Sequence, residues 1–162
     1  MQRALDLAQQ AASLGEVPVG AVVVQDGIIV GEGFNRRECD KNALRHAEIL
    51  AIEQACRNLG GWRLPHCTLY VTLEPCPMCT GAIINSRIER IVFGAYDPKA
   101  GCCGSVLDLM DFPFNHKAQI EGGVLESECA GKLKEFFACL RKKSKNKKIV
   151  CDTKTDDEGI HS

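Results

Sequence analysis

The sequence lacks the features that mark several large classes of protein. Its longest apolar stretches, near residues 17–24 and 28–30, fall well short of the roughly 18 residues that a membrane-spanning helix needs. It has no excess of one charge, because 20 Lys and Arg face 21 Asp and Glu, for a net charge of −1. It does not open with a charged segment followed by an apolar one. We therefore expect no membrane segment, no secretory signal and a cytoplasmic location.

Cysteine is plentiful for a cytoplasmic chain but too sparse for a disulfide scaffold. Ten of the 162 residues, about 6%, are cysteine. This fraction is below the roughly 8–10% typical of disulfide scaffolds. We therefore expect the cysteines to be thiols or metal ligands. Apolar residues make up 45% of the chain and charged residues 25%, as in ordinary globular domains. Length and composition predict one domain over residues 1–148 and a disordered tail over residues 149–162.

Hydrophobic periodicity predicts strands that alternate with helices. Asp26-Gly27 is typical of a hairpin turn, and Asn42 is a candidate N-cap. Gly31 and Gly33 are expected to weaken the end of the second strand. The predicted strands cover residues 17–24, 67–73, 88–94 and 118–121, with another beginning at 28, and the predicted helices cover residues 1–14, 42–59, 76–86 and 126–147. Residues 95–117 are predicted to be mostly loop, with a short helix near 106–110. This alternation predicts an α/β layered domain with partly parallel strands.

The most informative pattern is His-Ala-Glu at residues 46–48, followed by Cys-Pro-Met-Cys at residues 76–79. A single Cys-x-x-Cys pair is weak evidence, because it offers a metal only two ligands. Adding His46 gives three protein ligands and leaves one position for water, which is the arrangement of a catalytic zinc. Glu48 then has the reach to transfer protons.

Both halves of the pattern lie near predicted helix N-termini, where the helix dipole favours thiolates. Residues two apart on a helix point to nearly opposite sides. His46 and Glu48 therefore serve one site only if it lies off the helix end, or if Glu48 acts through the water. Plainer readings remain open: Glu48 as a first-turn glutamate favoured by the dipole, and the metal as a structural zinc closed by Cys102 or Cys103.

Around this pattern the chain resembles the bacterial tRNA-specific adenosine deaminases, which share the zinc deaminase signature His-x-Glu with Pro-Cys-x-x-Cys. The matching segments are residues 16–22, 31–36, 46–49, 68–76 and 93–99, with shorter matches at 104–105, 115–116, 128–129 and 136–137. The resemblance implies a three-layer α/β/α cytidine-deaminase-like domain around a mixed, roughly five-stranded sheet. It also implies a homodimer that converts the wobble adenosine of a tRNA anticodon to inosine by hydrolytic deamination.

The resemblance further implies roles for individual residues. The matched ligands of one Zn²⁺ per subunit are His46, Cys76 and Cys79. Glu48 matches the proton shuttle, and Asn35 matches an asparagine that contacts the base. Asp97 matches an acidic residue near the nucleotide sugars. A plainer reading makes Asn35 a turn residue and Asp97 a cap.

Contacts to RNA outside the pocket are predicted from local charge. The end of the last predicted helix carries a cluster of basic residues: Arg141, Lys142 and Lys143, with further lysines at 145, 147 and 148. Such a cluster can follow a phosphate backbone, although it is also typical of a solvated helix face. Lys99, beside Asp97, is another candidate RNA contact.

The zinc pattern alone does not separate tRNA deaminases from deaminases of a free base or nucleotide, such as guanine, cytosine or deoxycytidylate. Residues 97–99 and 104–105 and the basic helix end favour the tRNA anticodon stem-loop as the partner. A third reading is a zinc-stabilised RNA-binding subunit without activity. The presence of Glu48 argues against that reading.

Overall fold

A computed structural model describes the backbone of residues 1–152 and the side chains of residues 1–144. The helices of this part of the chain are α1 (Gln2–Ser13), α2 (Ala47–Leu59), α3 (Pro77–Ser86) and α4 (Glu126–Asp152). The strands are β1 (Gly20–Gln25), β2 (Ile28–Phe34), β3 (Cys67–Leu73), β4 (Arg90–Ala95) and β5 (Gln119–Glu121). A 3₁₀ helix covers Leu109–Asp111. None of the described helices combines the length and apolar character needed to cross a membrane.

The five strands form one mixed sheet in the order β2-β1-β3-β4-β5. β1 is antiparallel to both β2 and β3, whereas β3, β4 and β5 are mutually parallel. The carboxyl ends of β2, β3 and β4 therefore meet at one edge of the sheet, together with the start of β1. We call this the carboxyl edge. In open α/β sheets such an edge is the usual place for a ligand site.

Helices cover both faces of the sheet, and glycines let them approach closely. A Cβ atom on Gly20 would lie 2.1 Å from the carbonyl oxygen of Ala4 in α1, and one on Gly94 would lie 2.3 Å from Cys129 Sγ in α4. On the other face, a Cβ atom on Gly33 would lie 2.3 Å from the carbonyl oxygen of Ala47 in α2. The main apolar core lies between the sheet and α2 and α3. The predicted three-layer α/β/α architecture around five strands is confirmed.

The predicted start of the second helix is wrong. α2 begins at Ala47, and its N-cap is His46 rather than Asn42. The side chain of Asn42 accepts a hydrogen bond of 2.9 Å from the backbone N–H of Leu44 and so closes a local turn. Such short side-chain bonds compete with helix formation, and residues 43–46 therefore form an irregular approach to α2.

Two strand boundaries and one helix end also differ from the predictions. β1 begins at Gly20 rather than at residue 17, and β2 continues through Gly31 and Gly33 to Phe34. These two glycines do not end the strand, because their missing side chains make room for α2. α4 continues to Asp152, into the predicted tail. The rest of that tail, residues 153–162, lies outside the described residues.

Candidate active site

The residues singled out by the His-x-Glu and Cys-x-x-Cys pattern meet at the carboxyl edge. His46 is the extended residue before α2, with φ −80° and ψ 152°, and Cys76 holds the same position before α3, with φ −76° and ψ 174°. Cys79 lies in the first turn of α3 and is fully buried. His46 precedes its helix, so its direction is independent of the helical spacing that would separate it from Glu48. This resolves the geometric difficulty posed by their separation of two residues.

His46, Cys76 and Cys79 form a group that can hold a metal ion, with all three ligand atoms within 4.8 Å of one another. His46 Nδ1 lies 3.6 Å from Cys76 Sγ and 3.5 Å from Cys79 Sγ. Among the described residues, no other His, Cys, Asp or Glu joins the group. Cys102 and Cys103 are instead turned elsewhere, the first toward Ala100 O and the second toward Thr80 Oγ1. The group therefore has the three protein ligands of an open site.

The pKa values of the two cysteine thiols shift in opposite directions. The hydrogen bond from Cys79, followed by the one from His46, lowers the pKa of Cys76 to about 4. The same contact with Cys76, together with burial, raises the pKa of Cys79. The hydrogen bond to Cys76 also raises the pKa of His46. The lowered pKa of Cys76 favours its thiolate, which is the form of cysteine that binds a metal ion.

Glu48 lies in the first turn of α2 and is 4% exposed. Burial raises the pKa of its carboxyl to about 7. A carboxyl group tuned toward neutral pH can both accept and donate a proton under physiological conditions. Glu48 therefore has the electrostatic character of a general acid–base group next to the metal-ligating cluster.

Asn35 follows the last residue of β2 and is 6% exposed. Its backbone N–H donates to Val19 O at 3.0 Å. Its side-chain Nδ2 donates to Glu16 Oε2 at 3.3 Å, and Glu16 Oε1 accepts from the backbone N–H of Cys39 at 2.7 Å. Glu16 is 1% exposed. Sequence reasoning did not single out Glu16, because its two partners lie 19 and 23 residues further along the chain and no local pattern marks it.

Asp97 follows β4 and folds the loop after it. Its Oδ1 accepts from the backbone N–H groups of Lys99 at 2.9 Å and Ala100 at 3.3 Å, so the capping role expected as the plainer reading is present. The backbone N–H of Asp97 donates to Glu74 Oε2 at 2.9 Å. Glu74 is 2% exposed at the end of β3 and was also missed by the sequence analysis.

A cavity of about 230 Å³ opens between these elements. This is smaller than the roughly 300–1,000 Å³ of pockets for drug-sized ligands. Five of the predicted site residues line it: Asn35, His46, Glu48, Cys76 and Asp97. The other lining residues are Val17, Val19, Arg37, Ala47, Leu73, Glu74 and Ala100. The cavity thus combines apolar side chains with polar and titratable groups, as is typical of small-molecule sites.

The remaining predicted site residues do not line this cavity. Cys79 lies beneath it as part of the metal-ligating group. Lys99 is exposed on the loop after β4, and Arg141, Lys142 and Lys143 are exposed on α4. Arg37, by contrast, is an exposed cation at the cavity that the sequence analysis did not single out.

Known proteins share both the sequence and the structure of this site's framework. The family profile of the MafB19-like deaminases matches residues 1–141. A tRNA-specific adenosine deaminase of Bacillus subtilis (strain 168) is 52% identical over 146 residues, which cover 90% of this chain and 91% of that protein. A tRNA-specific adenosine deaminase of Haemophilus influenzae is 46% identical over 158 residues, which cover 96% of this chain and 91% of that protein.

A solved structure from a study of A-to-I editing by tRNA:A34 deaminases at the wobble position of transfer RNA is similar to this chain, with a TM-score of 0.80 and 43% identity. The similarity covers 82% of this chain and 97% of that one. Extensive identity over nearly whole chains, combined with the His46, Cys76 and Cys79 group, is decisive for the family. The chain belongs to the family of the tRNA-specific adenosine deaminases.

Proposed function

We propose that the protein deaminates the wobble adenosine of a tRNA anticodon to inosine, using water and releasing ammonia. The observation that carries this proposal is the meeting of a three-ligand metal group, the buried carboxyl of Glu48 and the amide of Asn35 in one small cavity. The family membership supports it, because the relatives that cover most of this chain are named tRNA-specific adenosine deaminases.

We assign His46, Cys76 and Cys79 as the ligands of one Zn²⁺ per subunit. Nitrogen and sulfur ligands in a set of three are typical of catalytic zinc. Zinc–sulfur bonds of about 2.3 Å and zinc–nitrogen bonds of about 2.0–2.1 Å give an N···S edge of about 3.6 Å in a regular tetrahedron. The 3.5 and 3.6 Å separations of His46 Nδ1 from the two sulfur atoms fit this value. When bound, zinc lowers the pKa of water to about 7 and supplies a nucleophile at neutral pH.

Glu48 carries the protons of the reaction. Its carboxylate removes a proton from the water that attacks C6 of adenine and delivers it to ring nitrogen N1. It then takes the remaining hydroxyl proton and passes it to the amino group, which leaves C6 as ammonia while the C6 carbonyl of inosine forms. A pKa near 7 suits both directions of transfer, and such general acid–base help contributes about 10²–10⁴ in rate.

Asn35 and the apolar walls hold the base. The side chains of Val17, Val19 and Leu73 offer the apolar surface that a flat purine ring needs. Glu16 fixes the amide of Asn35 by accepting one of its N–H groups, which leaves the other N–H and the carbonyl for the base. A base in an anticodon loop is already unpaired, so placing it in such a cavity costs less than extraction from a duplex.

We assign the surrounding charges to the RNA backbone. Asp97 lies at the cavity beside the expected position of the ribose, and Lys99 is exposed on the same loop. Arg141, Lys142 and Lys143 are exposed on α4, where they can contact phosphates of the stem. The homodimer implied by the resemblance belongs to the same proposal, as do the cytoplasmic location and the domain over residues 1–148.

The test is inosine formation in an anticodon stem-loop with adenosine at the wobble position. Free adenosine, guanine and cytosine run in parallel, and Glu48→Gln is the matched variant. Inosine from the stem-loop with the wild type, and its loss in the variant, are the expected results. Turnover of a free base with the stem-loop unchanged would replace this proposal with a small-molecule deaminase.

A further inference from the structure

Glu74 is a buried carboxylate whose bonding capacity is used up within the protein. Its Oε1 accepts from the backbone N–H groups of Cys103 and Ser105, each at 3.0 Å. Its Oε2 accepts from the backbone N–H of Asp97 at 2.9 Å and from the hydroxyl of Ser105. A carboxylate has about four acceptor positions. All four are therefore taken by the loop after β4, and none remains for a substrate or an attacking water.

Hydrogen-bond donors, rather than cationic side chains, surround the carboxylate of Glu74. No Lys or Arg side chain within the described part of the chain forms an ion pair with it. The negative charge of Glu74 is therefore stabilised by N–H and O–H dipoles of a single loop. The position of the carboxylate in turn fixes the position of that loop.

The loop is shaped to meet this carboxylate. A Cβ atom on Gly101 would lie 2.3 Å from both Cδ and Oε2 of Glu74, so only glycine allows the approach. The backbone N–H of Cys102 donates to Pro75 O at 2.9 Å, directly beside the anchor. Residues 97–105 therefore close around Glu74 without a helix or strand of their own.

The loop of residues 97–105 and the chain that follows Glu74 both reach the cavity. Asp97 and Ala100, which line it, belong to the loop that Glu74 holds. Cys76, one of the proposed zinc ligands, follows Glu74 by two residues on the other side. The distance between the metal group and the loop is thus set by one short stretch of chain, residues 74–76.

We propose that Glu74 is a positioning residue, which fixes the loop of residues 97–105 against the metal group and thereby sets the affinity for the nucleotide. The inference rests on the proposed function and deepens it by assigning substrate positioning to a residue that does not contact the reacting atoms. Glu74→Gln keeps the shape but turns an amide N–H₂ toward groups that also donate. The loop then loses one or two of its four anchoring bonds, because the backbone N–H groups facing the amide nitrogen lose their acceptor, whereas the Ser105 hydroxyl can accept instead of donating.

The test compares Glu74→Gln with the wild type on the adenosine stem-loop. We expect KM to rise about tenfold or more while kcat changes far less, because misplaced binding groups weaken substrate binding before they alter chemistry. Zinc content, measured on the same samples, stays at one ion per subunit. Glu89→Gln is the matched control, since Glu89 is half exposed at the opposite edge of the sheet. It is expected to leave KM unchanged.

A second measurement needs no substrate. Amide hydrogen exchange of Asp97, Cys103 and Ser105 is expected to accelerate in Glu74→Gln and, to a smaller degree, in Ser105→Ala, which removes only the hydroxyl donor. If Glu74→Gln does not fold, Ser105→Ala decides the question through the same changes in KM and exchange.

The outcomes separate the two proposals. An unchanged KM with unchanged exchange overturns the role of Glu74 while leaving the proposed function intact. Loss of zinc and of kcat at unchanged KM also overturns it, because Glu74 would then act through Cys76. A wild-type protein that leaves the stem-loop unconverted contradicts the proposed function itself, and with it the assignment of Glu74 to nucleotide binding.

Discussion

Two buried glutamates, Glu48 and Glu74, line the cavity, and a third, Glu16, contacts the cavity residue Asn35; each has different hydrogen-bond partners. Glu48 is enclosed beside the metal group, and burial raises its pKa to about 7. Glu74 is saturated by hydrogen bonds from one loop. Glu16 accepts from the side chain of Asn35 and from one backbone N–H. The roles we propose for these three side chains, as a proton carrier, a loop anchor and an orienting group, differ because each position offers different donors.

The role of Glu48 predicts a specific loss. Glu48→Gln is expected to keep its zinc and to lower kcat by about 10²–10⁴-fold, because the amide cannot carry a proton. Single-turnover kinetics on the stem-loop, with zinc measured in the same samples, checks both statements. Glu53→Gln, an exposed substitution on the same helix, controls for changes in α2. An active Glu48→Gln enzyme would contradict the assignment.

The contact between Glu16 and Asn35 predicts a coupled pair. In Glu16→Gln one acceptor oxygen replaces two, so either Asn35 or Cys39 loses its partner, at a cost of about 1–3 kcal/mol in the free energy of unfolding. KM is expected to rise because Asn35 and Cys39 share the one remaining oxygen, which fixes the amide of Asn35 less firmly. The double variant with Asn35→Ala is expected to show no larger KM than Asn35→Ala alone. Additive effects would mean that Glu16 acts elsewhere.

Some of these residues could be predicted from the sequence, and others could not. His46, Cys76 and Cys79 were predicted because metal ligands require particular residue types at particular spacings. Glu16 and Glu74 form no such pattern, since their partners are mostly backbone N–H groups, which every residue except proline carries. Their roles depend on distances across the fold, which a single sequence does not contain.

At the scale of whole elements, the packing of α2 against β2 positions the site residues at the start of α2, His46 and Glu48. Gly33 on β2 packs against the first turn of α2, near Ala47 and Leu50, and this turn begins directly after His46. The hairpin, the alternation of elements and most strand positions were predictable from periodicity and turn residues. The start of α2 was not predictable from these signals. It depends on the turn that the Asn42 side chain closes and on the extended conformation of His46, and an asparagine can form more than one kind of local hydrogen bond.

The close packing of Gly33 against α2 predicts the effect of adding one methyl group at this position. In Gly33→Ala the new Cβ would lie 2.3 Å from Ala47 O and 2.7 Å from Ala51 N, both backbone atoms, so α2 must shift. We expect a loss of about 1–3 kcal/mol in the free energy of unfolding and a weaker affinity for zinc, because His46 moves with the helix. Denaturant unfolding and zinc titration measure the two effects.

The matched control is Gly131→Ala in α4, where a Cβ atom meets nothing within 4 Å. It is expected to stabilise the protein by up to about 1 kcal/mol through helix propensity. Unaltered zinc affinity in Gly33→Ala, despite lower stability, would show that the start of α2 does not move as a unit with the rest of the helix.

At the scale of the whole molecule, strand direction explains why distant residues meet. Asn35, Cys76 and Asp97 follow three different strands, and all three strands end at the carboxyl edge. The net charge of −1 gives no general attraction to RNA. Any affinity for a phosphate backbone must therefore come from local basic groups, and this makes the proposed contacts on α4 testable by salt dependence.

The basic residues of α4 predict a reduced salt slope. Replacing Arg141, Lys142 and Lys143 by Gln removes three proposed phosphate contacts. Each contact contributes about 0.7–0.9 to the slope of log K against log salt, the higher value applying to a duplex, so the slope is expected to flatten by about 2–3. Fluorescence anisotropy with the stem-loop between about 50 and 200 mM salt measures this slope. The kcat at saturating RNA is expected to stay unchanged, because these residues do not line the cavity.

The matched control removes the same charge from the opposite edge of the sheet. Arg57, Arg63 and Lys117 lie at the end of α2, before β3 and before β5, and all three are exposed. Their replacement by Gln changes the net charge equally, so any general electrostatic effect is the same in both triple variants. If both variants flatten the slope alike, the α4 cluster is only a solvated face. If only the α4 variant does so, the RNA extends from the cavity onto this helix, and the protein reads more of its substrate than the base it converts.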